Sequence, residues 1–140
     1  MKLTIVISTF NTKELLRKNL LSIYKTLKNI KFEIIVVDDN SNDNTTEMLK
    51  NYFPRVRVIK NKNNLGYSKS YNIGTKIAKG EYILHLNSDI RFLDNSFDKI
   101  ISFMNGHEDV GVIGCKILKF DGSLDSPCRR SFPTPINIFF

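Results

Sequence analysis

Four short runs rich in β-branched and apolar residues, at positions 3–8, 32–37, 56–59 and 81–86, alternate with segments whose apolar residues recur at helical spacing. That alternation predicts an α/β fold, because strands separated by helices become parallel neighbours whose sheet is covered on its faces. Residues 110–118 read as a fifth strand. The first helix is predicted from the Asn11-Thr12-Lys13-Glu14 cap to about Lys28, with Leu15, Leu16, Leu20, Ile23 and Leu27 facing the sheet. Residues 45–52 predict a short helix stopped ahead of Pro54. A third helix should run from about Ser68 to Lys79 and close at Gly80. Inside it Gly74 costs roughly 1 kcal/mol relative to alanine, which close packing or the approach of a ligand would explain. A fourth helix is expected at residues 95–105, carrying Phe97, Ile100, Ile101 and Met104 and ending at Gly106. Asp121-Gly122 predicts a turn, and Pro127, Pro133 and Pro135 an extended loop.

In such a frame ligands bind at the carboxyl ends of the strands, where loops present side chains without disturbing the buried sheet. Two acidic clusters fall there: Val36-Val37-Asp38-Asp39-Asn40-Ser41 and Leu86-Asn87-Ser88-Asp89. An Asp at a strand end also serves as a turn former or a helix cap, and Asp38 is expected to hold its loop by backbone hydrogen bonds. The pairing of both clusters favours a shared ligand site. The loop at 61–68 is rich in residues that tolerate left-handed backbone, and Asn72 in the following helix faces either water or a ligand. His85, within a strand, is expected to be packed rather than catalytic.

Composition narrows the class. With 140 residues, 41% hydrophobic and 25% charged, the chain is expected to form a single soluble domain around one core. No apolar run approaches the roughly 20 residues that span a bilayer, and Met1 to Val6 leads into a strand without a cleavage site, so a cytoplasmic location is expected. Cys115 and Cys128 are too few for a disulfide scaffold and too far apart for a zinc or redox pair, and should be reduced. The net charge of +7 predicts attraction to something anionic. The lysines are scattered along helices, however, without the clustered cations and interleaved aromatics of nucleic-acid readers, so no nucleic-acid partner is expected. Arg129-Arg130 reads as a local anion site, for a pyrophosphate or a lipid phosphate. The chain has neither the Gly-x-Gly-x-x-Gly turn of dinucleotide dehydrogenases nor the Gly-Lys-Ser/Thr ending of a P-loop. The apolar tip Ile136-Asn137-Ile138-Phe139-Phe140 either docks on the chain's own core or leads into a larger fold or a partner.

Four ordered motifs then carry a resemblance that covers nearly the whole chain. They are Val6-Ile7-Ser8-Thr9-Phe10-Asn11, Val36 through Asp43, Asn64-Leu65-Gly66-Tyr67-Ser68 followed by Asn72-Ile73-Gly74, and Gly80 through Asp89. With these the chain resembles the N-terminal, donor-binding half of family 2 glycosyltransferases of the GT-A fold. Residues 112–118, 121–124 and 129–133 are similar to the rhamnosyltransferase-like branch.

The resemblance implies a Rossmann-like, mainly parallel sheet flanked by helices and incomplete at the C-terminus. It implies an inverting, metal-dependent transfer from a UDP-sugar or dTDP-sugar to a glycan or lipid-linked acceptor in polysaccharide biosynthesis, with peripheral association at the inner face of the membrane. Thr9, Phe10, Asn11 and Asp39 are implied at the nucleotide, Thr9 and Asp39 at its base. Asn64, Gly66, Asn72, Asn87 and Ser88 complete the implied donor-binding set, and Lys69 approaches a phosphate. The motif Asn87-Ser88-Asp89 is implied to hold the ribose and Mg²⁺ or Mn²⁺. Asn87 stands where aspartate is more usual, which leaves metal ligation to Asp89 and a ribose hydroxyl to Asn87. The general base is expected past Phe140, and a module that binds a sugar nucleotide without turnover is the alternative.

Overall fold

The computed structural model describes residues 1–94 and 96–128. The expectations for Asn95, Arg129-Arg130, Pro133, Pro135 and the tip at 136–140 therefore lie outside the described residues. The chain divides into two compact units, Met1–Lys99 and Ile100–Phe140.

The first unit contains β1 (Leu3–Thr9), α1 (Lys13–Thr26), β2 (Phe32–Asp38), α2 (Thr45–Tyr52), β3 (Arg57–Lys60), α3 (Tyr67–Lys76) and β4 (Tyr82–Asn87). Its strands form one sheet in the order β3-β2-β1-β4, parallel throughout. The register sets Thr9 beside Asp38 and Ser8 beside Asn87, so β1, β2 and β4 finish side by side. This is the α/β, GT-A-like architecture that the motif order implied.

Both faces of β1 and β2 are buried, which is why these strands read as continuous apolar runs rather than alternating ones. Ile5, Ile7, Ile34 and Val36 pack with Leu16, Leu20 and Ile23 of α1 and Leu49 of α2 in one core cluster. On the opposite face α3 approaches closely enough that a Cβ on Gly74 would sit 2.4 Å from Cγ1 of Val6. Close packing therefore explains a glycine inside this helix. Leu15, expected toward the sheet, is instead 42% exposed. The inward stripe runs Leu16, Leu20, Ile23, and one residue of helical rotation, about 100°, carries Leu15 off it.

The third helix stops at Lys76, short of the expected Lys79, and Gly80 does not cap it. The Lys79 amide donates to Glu33 Oε1 at 2.7 Å and the Gly80 amide to Thr4 Oγ1 at 2.8 Å, drawing the chain out of the helix and into β4. Gly80 is needed because a Cβ there would lie 2.4 Å from the Thr4 backbone nitrogen.

Helix α4 (Ser96–Asn105) begins before and ends after the division between the units. The fifth strand expected at 110–118 is not formed: Val112 is 91% exposed, and Leu118 makes only an isolated antiparallel bridge with Leu124. A strand exists through its ladder, and β propensity alone does not supply the neighbouring strand that a ladder needs. The Asp121-Gly122 turn does form, with Gly122 at φ +82° and its amide 3.0 Å from the Lys119 carbonyl. Cys115 and Cys128 are both free thiols. Among the described residues no helix is long and apolar enough to cross a membrane.

Candidate functional site

The loops after β1 and β2 are laced together by side chains that replace missing backbone partners. The Asn11 amide donates to Ser41 Oγ at 2.9 Å, and Asn11 Oδ1 accepts from the Asn42 amide at 2.8 Å. Asn11 adopts φ +53°, a left-handed conformation that asparagine tolerates better than most residues. The Lys13 amide at the start of α1 donates to Asp43 Oδ2 at 2.8 Å. A chain of hydroxyls then joins the ends of β1 and β4: Thr9 to Thr12 at 2.8 Å, and Thr12 to Ser88 at 2.9 Å. Thr12 therefore binds hydroxyls instead of capping α1.

At the end of β2 the two carboxylates are buried and engaged. Asp38 is fully buried and accepts from the Ser41 amide at 2.8 Å and the Thr46 hydroxyl at 2.7 Å, the loop-holding part expected of it. Asp39 is 3% exposed; its Oδ1 accepts from Asn61 Nδ2 at 2.7 Å and the Leu65 amide at 2.9 Å, and its Oδ2 from the Gly66 amide at 2.9 Å. Burial pushes the Asp39 carboxyl up, but the donors of Leu65, Asn61 and Gly66 together hold it below its ordinary 3.8. Gly66 sits at φ +83°, which lets the loop fold back onto that carboxylate. An ionised carboxylate has about four acceptor positions, and with the Ser70 hydroxyl as a fourth donor those of Asp39 are engaged within the fold.

The end of β4 differs. Asn87 is exposed, its backbone carbonyl accepts from Asn19 Nδ2 at 2.9 Å, and its Oδ1 accepts from the Tyr67 hydroxyl. The Tyr71 hydroxyl donates to the Leu86 carbonyl at 2.7 Å, and burial, then the neighbouring Tyr67, pushes its pKa well above the ordinary phenol value. The exposed Asp89 carboxylate takes part in none of the hydrogen bonds or ion pairs described. Among the described residues no three His, Cys, Asp or Glu side chains gather into a metal cluster.

Of the residues singled out in the sequence, Thr9, Asn11, Asp39, Gly66, Asn87 and Ser88 each take part in hydrogen bonds at or beside the strand ends, though not in one continuous network. Phe10 is 46% exposed beside them. Asn64 is exposed and bonds only the nearby Gly66 amide, at 3.1 Å, while Asn72 and Lys69 are exposed on α3 and take no part in this bonding. His85 is not packed away: it lies exposed on edge strand β4, bonded to Thr75 Oγ1 at 2.8 Å with its ring 4.8 Å from Tyr71. Tyr67, Tyr71 and Asn61 were not foreseen. The signal for the tyrosines was their four-residue spacing, which sets both on one helix face. Two open surface grooves, about 440 Å³ along α1 and α2 and about 460 Å³ beside Ser41 and Lys60, include neither Asp39 nor Asp89.

A parallel sheet whose polar residues converge where the strands end defines an α/β protein of the GT-A-like kind, as in solved glycosyltransferase structures. More particularly, residues 4–137 match Glycosyl transferase family 2, and the chain belongs to that family. It is 32% identical over 117 residues to the poly(ribitol-phosphate) beta-N-acetylglucosaminyltransferase TarP of Staphylococcus aureus (strain N315), covering 81% of this chain and 36% of TarP. The crystal structure of S. aureus TarS 1-349 in complex with UDP aligns at TM-score 0.70 and 28% identity, over 77% of this chain and 33% of that one. The same TarS fragment has also been solved with UDP-GlcNAc. A mannosyltransferase from Pyrobaculum calidifontis, in complex with GDP-Man and Mn2+, shares the fold at TM-score 0.69 and 18% identity, over 84% of this chain and 36% of that one. The chain therefore spans about a third of the length of TarP, of the TarS 1-349 fragment and of the mannosyltransferase.

Proposed function

We propose that these 140 residues are the donor-binding part of an inverting glycosyltransferase that takes a sugar from a pyrimidine nucleoside diphosphate to a glycan or lipid-linked acceptor. The observation that carries this reading is the contrast at the strand ends. A self-bonded rim built from the loops of β1 and β2 lies at the strand ends with an exposed Asp89 that takes part in none of the described hydrogen bonds or ion pairs, in a family with members solved holding UDP and UDP-GlcNAc.

In this reading Asp39 exchanges one of its internal donors for the imide N–H of uracil or thymine, a donor that purine rings present differently. Phe10 offers the base an exposed flat surface, and Asn87 hydrogen-bonds the ribose. Asp89 fits a hard divalent cation, because Mg²⁺ and Mn²⁺ commonly take one or two protein carboxylates and complete their shell with water and substrate phosphates. Such a cation, when bound, would neutralise charge on the departing diphosphate. No residue of this chain is assigned as the base that deprotonates the acceptor. The charge of +7 suits work beside an anionic, lipid-linked acceptor at the inner face of the membrane.

Calorimetric titration with UDP and dTDP, each with Mn²⁺ and with chelator, tests the reading. Binding that depends on the cation and disappears in Asp89→Ala supports it; a folded chain that binds neither nucleotide refutes it. Release of sugar from UDP-GlcNAc separates an active enzyme from a binding module.

A further inference from the structure

We infer that Asn19 and Ser22 of α1 are positioning residues that fix where the Asp89 carboxylate stands, by gripping the backbone on either side of it. The inference rests on the reading above in which Asp89 meets a divalent cation. It begins from a side chain that stability alone does not explain. Asn19 is fully buried on the face of α1 that carries Leu16, Leu20 and Ile23, and among the described residues its Oδ1 has no hydrogen-bond partner. A buried, unbonded carboxamide oxygen is a net cost to a fold. What the residue supplies lies at its other end, where Nδ2 donates to the Asn87 carbonyl at 2.9 Å.

The polarity of that contact is fixed, because a backbone carbonyl only accepts and only the Nδ2 end can face it. One turn along the same face, Ser22 makes a matching contact. Its Oγ accepts from the Phe92 amide at 3.0 Å, while its own proton goes to the Asn19 carbonyl at 2.7 Å. At the start of the helix the hydroxyls of Thr12 and Ser88 lie 2.9 Å apart. Side chains of one helix thus hold the chain at Asn87, Ser88 and Phe92, on both sides of Asp89. The helix is a firm anchor, since Leu16, Leu20 and Ile23 seat it in the core cluster, against which Ile90 and Phe92 also pack.

Asp89 itself is exposed and takes part in none of the described hydrogen bonds or ion pairs. The position of its carboxylate is therefore inherited from the backbone that carries it. A carboxylate without partners of its own can meet a cation at low ordering cost only when its flanks are held beforehand. Asn19 and Ser22 do this without touching the ligand, at the expense of a polar oxygen left unbonded in the core.

The test separates positioning from stability. UDP is titrated calorimetrically, with Mn²⁺ and with chelator, into the full chain and into Asn19→Ala, Ser22→Ala and Ile23→Val, with melting curves and ligand-free amide hydrogen exchange for each. Ile23→Val disturbs the same helix without touching residues 87–92. Asn19→Ala and Ser22→Ala are each expected to weaken Mn²⁺-dependent UDP binding about three- to tenfold, to leave any binding in chelator unchanged, and to speed exchange at Ile90 and Phe92. Asn19→Ala is expected to melt no lower than Ile23→Val, because it also removes the unbonded oxygen. Ile23→Val is expected to lower the melting temperature and leave UDP binding at the parent's value. Alanine variants that bind UDP with Mn²⁺ like the parent, or a loss of equal size in Ile23→Val or in chelator, overturn the positioning assignment alone. A parent chain whose UDP binding ignores Mn²⁺, or that binds no UDP, overturns the reading on which it rests, and this inference with it.

Discussion

The ends of β2 and β4 carry the same chemistry in sequence and opposite states in structure. Asp38 and Asp39 are 0% and 3% exposed, and five hydrogen bonds from Ser41, Thr46, Asn61, Leu65 and Gly66 converge on them. Asp89 is exposed and uncommitted, one strand beyond β1 on the other side. An acidic motif at a strand end is thus two different devices. Where backbone amides surround the carboxylate it shapes the surface; where none reach it, it remains available to a ligand.

The comparison breaks first at Asp38. Replacing it with alanine leaves the Ser41 amide and the Thr46 hydroxyl without their acceptor in a dry site, a loss of about 3 kcal/mol by urea denaturation. A cost below about 1 kcal/mol would mean that the buried carboxylates are not what holds this end together. Asp39→Asn is expected to cost less, about 2 kcal/mol, because the amide keeps one acceptor oxygen but turns an NH₂ group toward donors already there. Hydrogen exchange should rise at Leu65 and Gly66 in that variant and stay unchanged in β1.

Acid should reach the same contrast from solution. Asp39 and Asp43 both titrate below their ordinary 3.8 in the fold, burial opposing the shift and surrounding donors outweighing it. A depressed folded pKa gives stability that is complete above the unfolded value and lost as pH falls through the folded one. Thermal stability is therefore expected to hold down to about pH 4 and then decline. The decline should be shallower in Asp39→Asn, which has one such proton fewer to take up; equal slopes would remove Asp39 from the account.

Much of this was legible in the residues because local rules and the fold agree. The apolar runs of β1 and β2 and the stripe Leu16, Leu20, Ile23 announce a doubly covered parallel sheet, and Gly74 announces the contact with Val6 that demands it. Residues 110–118 show where the rule fails: β propensity describes how a residue suits a pleated surface and does not supply the neighbouring strand. The site was legible as a set of positions, but the commitments of its side chains were not. Asp39 anchors a loop 26 and 27 residues away in sequence, at Leu65 and Gly66, and Asn87 is hydrogen-bonded to a tyrosine 20 residues before it. Such partners are chosen by tertiary packing, and no periodicity encodes them.

The smallest expected effect on stability belongs to the residue with the largest expected effect on binding. Asp89→Ala removes no described hydrogen bond and buries nothing, so urea denaturation should find it within about 0.5 kcal/mol of the parent. If Asp89 is the carboxylate that meets the cation, the same variant should lose the Mn²⁺-dependent part of UDP binding while Asp39→Asn, folded but with a loosened loop, retains it in weakened form. The reverse pattern, with cation dependence lost at Asp39 and kept at Asp89, would exchange the two roles and invert the comparison. A single pair of titrations therefore decides whether exposure and the absence of internal partners, rather than acidity alone, mark the functional carboxylate in this chain.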